Sequence, residues 1–186
     1  MRQTSFFPPP TKEHGGVLSV NCRRARRPLS TREALHLTLR SELAVGNRSL
    51  LRHKDIIISV MKKAERRFRV RIYRFAICGN HVHLLIRGKT RRELQNFFRV
   101  LAGHIAQMIL KRLALTLNEK KEALNKAIGC KKNQRKFWSL LTYTRVVSWG
   151  AEFKRVANYI AQNTLEALHI IAYRPRTIRR GRLPPS

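Results

Sequence analysis

Two of the seven histidines stand one residue apart at the head of an apolar run, "GNHVHLLI", Gly79 to Ile86. In a strand successive side chains alternate faces, so His81, His83 and Leu85 point one way and Val82, Leu84 and Ile86 the other. With α-carbons roughly 6 to 7 Å apart, two such imidazoles can converge on one cation at about 2.1 Å each. Taken alone the pattern also describes two polar residues on a strand, and a metal needs at least one more protein ligand. A second group lies downstream. At about 100° per residue, Val156, Ala157, Ile160, Ala161, Thr164, Leu165 and Leu168 fill one arc of a helix, the arc expected to face the body of the protein. Tyr159, Asn163 and Glu166 run along the edge of that arc, Tyr159 and Asn163 one turn apart, so a phenol and an amide project side by side. Alone, this pair also describes a ring packed at a core edge beside a polar residue.

Forty Lys and Arg against ten Asp and Glu give a formal net charge of +30. Such an excess strains a compact fold unless a polyanion neutralises it, and nucleic acid rewards dense Lys and Arg through counterion release. A ribosome-associated protein, a membrane-surface protein and a basic solvated exterior are the competing readings. The membrane reading is weakest, because no stretch reaches the roughly 20 apolar residues of a spanning helix. Cys22, Cys78 and Cys130 show no zinc-knuckle or disulfide spacing, which leads us to expect a reducing, intracellular setting. The start, "MRQTSFFPPP", lacks the apolar segment of a secretory signal. Asp55 is the sole aspartate. The converging carboxylates of a two-metal nuclease are therefore hard to supply, and any phosphodiester chemistry must use other groups.

The elements that must position these residues follow from period. Residues 1–29, with Pro8 to Pro10, the Gly15-Gly16 pair and "RRARRP", read as a mobile basic N-terminal arm, and 173–186 as a basic C-terminal tail. Both could touch phosphate without sequence preference or remain plain solvated tails. Between them, residues 30–172 read as one domain. "ALHLTLRS" alternates leucines with His36, Thr38 and Arg40, the period of a half-buried strand. Helical spacing follows from Ser49 to about Arg67. "FRVRIYRFAIC" and "HVHLLIRG" form a hairpin around Gly79-Asn80. Thr90 and Glu93 make a capping box that starts a second helix running to roughly Leu113. The basic stretch "NEKKEALNKAIGCKKNQRK" is a helix end or connection, "FWSLLTYTRVVSWG" a strand region, and Ala151 to Leu168 a last helix. This order predicts an α+β fold: a ferredoxin-like βαββαβ antiparallel sheet with an added C-terminal helix carrying the tyrosine.

His81-Val82-His83 after a tight turn, followed about 75 residues later by "YIAQNTLEA", resembles the single-tyrosine HUH transposases, and within them the IS200-like and REP-associated tyrosine transposases. "RRPLSTREALHLTLRS" ahead of the first strand and "FWSLLTYTRVVSWGAEFKRVANYIAQN" leading into the tyrosine extend the likeness over roughly residues 26 to 172. Gly79 stands where the group more often has proline, as does Thr164 after the helix asparagine; both changes fall beside the motif residues.

The resemblance implies that 30–172 is an HUH transposase-like catalytic domain: a metal-dependent single-stranded DNA nickase and strand transferase acting on palindromic or hairpin DNA through a covalent 5′-phosphotyrosine. Tyr159 would be the nucleophile, and His81, His83 and Asn163 would hold Mg²⁺ or Mn²⁺. Glu166 would orient a water or a histidine, or form a surface salt bridge. Arg91, Arg92, Arg99, Lys131, Lys132, Arg135 and Lys136 would contact phosphate, and Phe137 and Trp138 would stack on bases or join the core. The implied partner is single-stranded or hairpin DNA, with no membrane, in a bacterial cytoplasm at the nucleoid. A homodimer with exchanged tyrosine helices and a monomer both fit. The alternative is a domesticated relative that binds hairpin DNA or RNA without cutting. A basic RNA-binding or ribosome-associated protein of no particular likeness is disfavoured by the ordered match.

Overall fold

A computed structural model describes residues 12–22, 25–121 and 136–173. In chain order the elements are β1 (Glu13–His14), β2 (Ala34–Arg40), α1 (Lys54–Phe68), β3 (Arg71–Ile77), β4 (His81–Arg87), α2 (Arg91–Lys121), β5 (Tyr143–Val147) and α3 (Ala151–Ala167), with short 3-10 turns between some of them. The strands form one antiparallel sheet in the order β1-β5-β2-β4-β3. Without β1 this is the ferredoxin-like arrangement, and α3 is the added helix. The α+β class expected from the alternating periods is the one observed. Among the described residues no helix is long and apolar enough to cross a membrane.

Strand alternation divides the molecule into two layers. Leu35, Leu37 and Leu39 of β2 with Val82, Leu84 and Ile86 of β4 point to a core shared with α1 and α2. The opposite face carries a smaller apolar cluster of Ala34, Ala76, Leu85, Val147 and Ile160, against which α3 packs. His81 and His83 lie in register with Leu85, so β4 turns both imidazoles toward α3. The Thr90–Glu93 box is formed as expected: Glu93 N–H donates to Thr90 Oγ1 at 3.1 Å and Thr90 N–H to Glu93 Oε2 at 2.9 Å. The hairpin closes through Cys78 N–H to His81 O at 2.9 Å. Gly79 and Asn80 are absent from the positive-φ residues, so the turn does not need glycine's conformational freedom.

α2, expected to end near Leu113, runs on to Lys121, and four further expectations change. The helix expected from Ser49 begins as a 3-10 turn, Leu50–His53, and becomes α-helical at Lys54. The last strand is shorter than its aromatic run: Phe137 is buried in the main core and Trp138 Nε1 donates to Ala102 O at 2.8 Å, so both rings serve packing and not base stacking. α3 docks along only part of its expected arc. Ile160 and Asn163 are buried, whereas Ala161 is exposed and Leu165 and Leu168 are 38% and 47% exposed. The first half of the expected arc, Val156, Ala157 and Ile160, packs on the sheet as expected, and the second half does not. Phe153 also takes part in the docking, meeting Tyr73 of β3 and Trp149 at centroid separations of 5.4 and 5.0 Å.

The last change concerns the N-terminal arm, whose described part is folded onto the sheet. Glu13 and His14 pair with Arg145 and Thr144, and Arg27 Nη1 donates to Thr142 O at 2.7 Å and to Thr144 Oγ1 at 2.9 Å. Gly15 makes this possible. It sits at φ +85°, and a Cβ there would fall 2.1 Å from Thr142 O. Gly15→Ala should therefore release β1 from β5 while the rest of the sheet stays folded. Hydrogen exchange would show lost protection at Gly16 N–H, which bonds Leu141 O, and at Val146 N–H, which bonds Lys12 O. Residues 1–11 and 174–186 lie outside the described residues.

Candidate active site

Strand register assembles a row of polar side chains on the α3 face. Thr38 of β2 pairs with His83 of β4 on one side and Tyr143 of β5 on the other. One step along, His36 is opposite Arg145. His36 and His83 are both buried, their rings stacked with centroids 5.2 Å apart, and His36 Nε2 lies 3.1 Å from His83 Nδ1. Thr38 Oγ1 approaches the same Nδ1 at 3.0 Å. The His81 and His83 rings are 4.7 Å apart, as same-face neighbours on a strand must be. α3 then lays the half-buried Tyr159 edge-on against this row, 5.3 Å from the His83 centroid and 6.1 Å from that of His36.

Asn163 follows one turn later on the same face. It is buried, and its Nδ2 donates to Tyr159 O at 2.7 Å, which makes Oδ1 its ligand-type atom. Glu166 accepts from Gln162 Nε2 at 2.8 Å. Thr164 donates its hydroxyl to Ile160 O at 3.2 Å within the helix.

His36, Thr38, His83, Tyr143, Arg145, Glu152, Arg155, Val156 and Tyr159 surround a cavity of about 500 Å³. Its electrostatics differ from wall to wall. Burial, assisted by the Arg145 charge, lowers the His36 pKa to about 4, so this imidazole is neutral at neutral pH. Burial and then Glu13 push the Tyr143 hydroxyl up to about 12, so that phenol stays protonated and is poorly suited to attack. Arg145 is braced by Glu152 at 2.6 Å and Glu13 at 3.5 Å, while Arg155 is exposed at the cavity wall.

The donor set suits a divalent cation. Among the described residues no three His, Cys, Asp or Glu are gathered as a metal-binding group; an ion here would draw on two imidazoles, an amide oxygen and solvent or phosphate oxygen, a mixture acceptable to Mg²⁺ or Mn²⁺. His81 Nδ1 is 2.7 Å from Asn80 Oδ1, an acceptor, so Nδ1 carries the proton and the Nε2 lone pair would be the one to meet a cation. For His83 the matching tautomer places its proton on Nδ1, toward neutral His36 Nε2 or Thr38 Oγ1.

The structure thus brings together His81, His83 and Tyr159, and places the buried Asn163 one turn beyond Tyr159 on α3, where its side chain bonds Tyr159 O. The expected phosphate contacts are scattered. Arg91, Arg92 and Arg99 belong to α2, on the opposite side of the sheet, and Arg91 Nη2 donates to Arg27 O at 2.7 Å. Lys136 is exposed at the His81 end, where Phe137 O accepts from Ser41 Oγ and Ser139 N–H donates to Arg40 O. Lys131, Lys132 and Arg135 lie outside the described residues. Sequence reasoning missed His36, Tyr143, Arg145 and Arg155. The alternation in "ALHLTLRS" and "TYTRVV" shows which side of each strand the first three share; no local pattern shows that those strands flank each other.

A family model described as "Transposase IS200 like" matches residues 47–163, a span that includes both β4 histidines and ends at Asn163. Two solved structures are similar. One is a REP-associated tyrosine transposase bound to a REP hairpin, 14% identical, with a TM-score of 0.49 over 78% of this chain and 74% of the other. The second is a structure assigned as a transposase from Deinococcus radiodurans R1, 12% identical, with a TM-score of 0.42 over 76% of this chain and 98% of that one. No curated protein matches the chain in sequence.

Proposed function

The chain belongs to the IS200-like transposase family, and from that premise we propose that it cuts and rejoins single-stranded DNA bearing a palindrome or hairpin, with Tyr159 as nucleophile and Mg²⁺ or Mn²⁺ held by His81, His83 and Asn163. One observation carries the reading: the ring of Tyr159 lies 5.3 Å from that of His83 within a single chain. In this fold every named residue is supplied by one copy of the chain, the arrangement that a monomer would use. The setting that goes with this reading is a bacterial cytoplasm, at the nucleoid.

Tyr159 Oη attacks the scissile phosphorus, the bond from phosphorus to O3′ breaks, and the departing oxygen takes a proton to become a free 3′-hydroxyl. The phenol's own proton passes to water as the O–P bond forms. The product is a 5′-phosphotyrosine, and attack by another 3′-hydroxyl reverses the step without ATP. A free phenol titrates near 10, so it needs assistance at neutral pH. When bound, the cation supplies Lewis-acid polarisation of the phosphate. The protein's own part is positional. Packing against His36 and His83 fixes the Tyr159 ring, and Arg145 and Arg155 place positive charge where the phosphate must enter.

His36 acts here through His83. Removing its acceptor with His36→Ala should weaken Mn²⁺ binding about 10- to 100-fold, and His36→Gln, which keeps a hydrogen-bonding group, should recover part of that loss. Calorimetric titration with Mn²⁺ separates this from a packing defect, which the glutamine would not repair.

The function as a whole is tested with labelled single strands that fold into hairpins, incubated with protein and Mn²⁺. An SDS-resistant complex of protein and DNA is expected. Binding that persists across metals and substrates without any such complex would identify a protein that only recognises the hairpin.

A further inference from the structure

Beside the catalytic cavity lies a second recess of about 330 Å³, lined by Glu13, Gly16, Val17, Leu18, Thr38, Arg40, Leu140, Leu141 and Tyr143. Thr38 and Tyr143 belong to both linings, so the two spaces adjoin. The characters of their linings differ. The first presents histidines, Arg145, Arg155 and Glu152; the second is largely aliphatic, with the Tyr143 ring as one side. Val17, Leu18 and Leu141 are 74%, 57% and 61% exposed, an apolar patch standing in solvent next to a cationic site. Isolated exposed leucines need no explanation, but three exposed apolar residues around one recess do.

The recess is built by backbone geometry. Gly15 and Gly16, at φ +85° and +61°, turn the chain after β1 so that the 3-10 turn Gly16–Ser19 stands over β5. Gly16 N–H donates to Leu141 O at 2.8 Å, and a Cβ on Gly16 would meet Tyr143 Cβ at 3.3 Å. The close approach seats Val17 and Leu18 opposite Leu141. Glu13 and Arg40 add an acceptor and donors among the apolar residues.

A ligand that fills both spaces at once has an anionic part beside the arginines and a flat apolar part with polar edges beside the aliphatics. A nucleotide has that form. We propose that this recess receives a nucleobase adjoining the scissile phosphate, unstacked from its strand and held between Tyr143, Leu18 and Leu141, with Glu13 and Arg40 placed to meet its edge. The inference rests on the reading of the larger cavity as the site of strand cleavage. Its volume lies within the roughly 300 to 1,000 Å³ of small-ligand sites, and stacking on apolar and aromatic side chains is the ordinary way single strands are gripped.

The test compares fluorescein-labelled oligothymidine with the same strand carrying abasic sites, each titrated by anisotropy against the full-length protein and against the Leu18→Ser/Leu141→Ser double variant. Both leucines are exposed, so the variant keeps its core, and serine adds no charge to confuse phosphate binding. Wild-type protein should prefer the base-bearing strand, and the variant should lose at least about fivefold of that preference while holding the abasic strand as before. An identical preference in both proteins overturns the pocket while leaving the proposed cleavage intact. If wild-type protein binds neither strand the pocket is overturned, while cleavage of hairpin-bearing strands is decided by its own covalent-complex assay. As a positive locator, 5-iodouracil placed in the strand should cross-link to the peptide containing Val17 and Leu18 or to that containing Leu141 and Tyr143.

Discussion

Tyr159→Phe should abolish strand cleavage, with a loss of at least about a thousandfold in the rate of adduct formation, while DNA affinity changes little. The substitution removes one oxygen and leaves the ring. That ring makes the contacts with His36 and His83 and is half-buried against the sheet, so α3 keeps its seat. Single-turnover kinetics with labelled hairpin strands would report the loss. The other tyrosine lining the cavity, Tyr143, is held in its neutral form by burial and by Glu13. An adduct that survives Tyr159→Phe and vanishes in Tyr143→Phe would move the nucleophile to β5.

The second large effect separates the two histidines of β4. His81→Ala and His83→Ala should each weaken Mn²⁺ binding and metal-dependent cleavage by at least about a hundredfold, since a centre with two imidazoles keeps only one. Their costs to stability should differ. His81 is half-buried and bonded to Asn80, a residue of the turn. His83 is buried and meets His36 Nε2 and Thr38 Oγ1, and His36 is itself buried. Truncating His83 strips that buried group of a hydrogen-bonding partner, a cost of about 1 to 3 kcal/mol. Urea denaturation should therefore show a lowered midpoint for His83→Ala and a nearly unchanged one for His81→Ala. Equal midpoints would mean that the buried contacts do not contribute as described.

Much of this arrangement is legible in the chain itself. Alternation places His81, His83 and Leu85 on one side of a strand, and the structure turns that side to α3. The Thr90–Glu93 box marks the start of α2 because two orphan N–H groups need acceptors there. The hidden parts depend on contacts distant in sequence. His36 reaches His83 across a gap of 47 residues, through strand register that no local period encodes. The docking of α3 also involves Phe153 packing with Tyr73 and Trp149, contacts that no helical period encodes, while Leu165 and Leu168 of the apolar arc stay exposed. Glycines and charge assign the basic arm to solvent, yet in its described part Gly15 and Gly16 supply the positive φ that lets it fold back onto β5.

The central claim is that Tyr159 forms a covalent bond to DNA. Wild-type protein trapped with a labelled hairpin strand and Mn²⁺ can be denatured, digested with nuclease and protease, and sequenced by tandem mass spectrometry. The expected result is a nucleotide attached through its 5′-phosphate to the peptide containing Tyr159, and no such peptide from Tyr159→Phe. A modified peptide that places the nucleotide on any other side chain, or DNA cleaved with no covalent peptide formed, would contradict it.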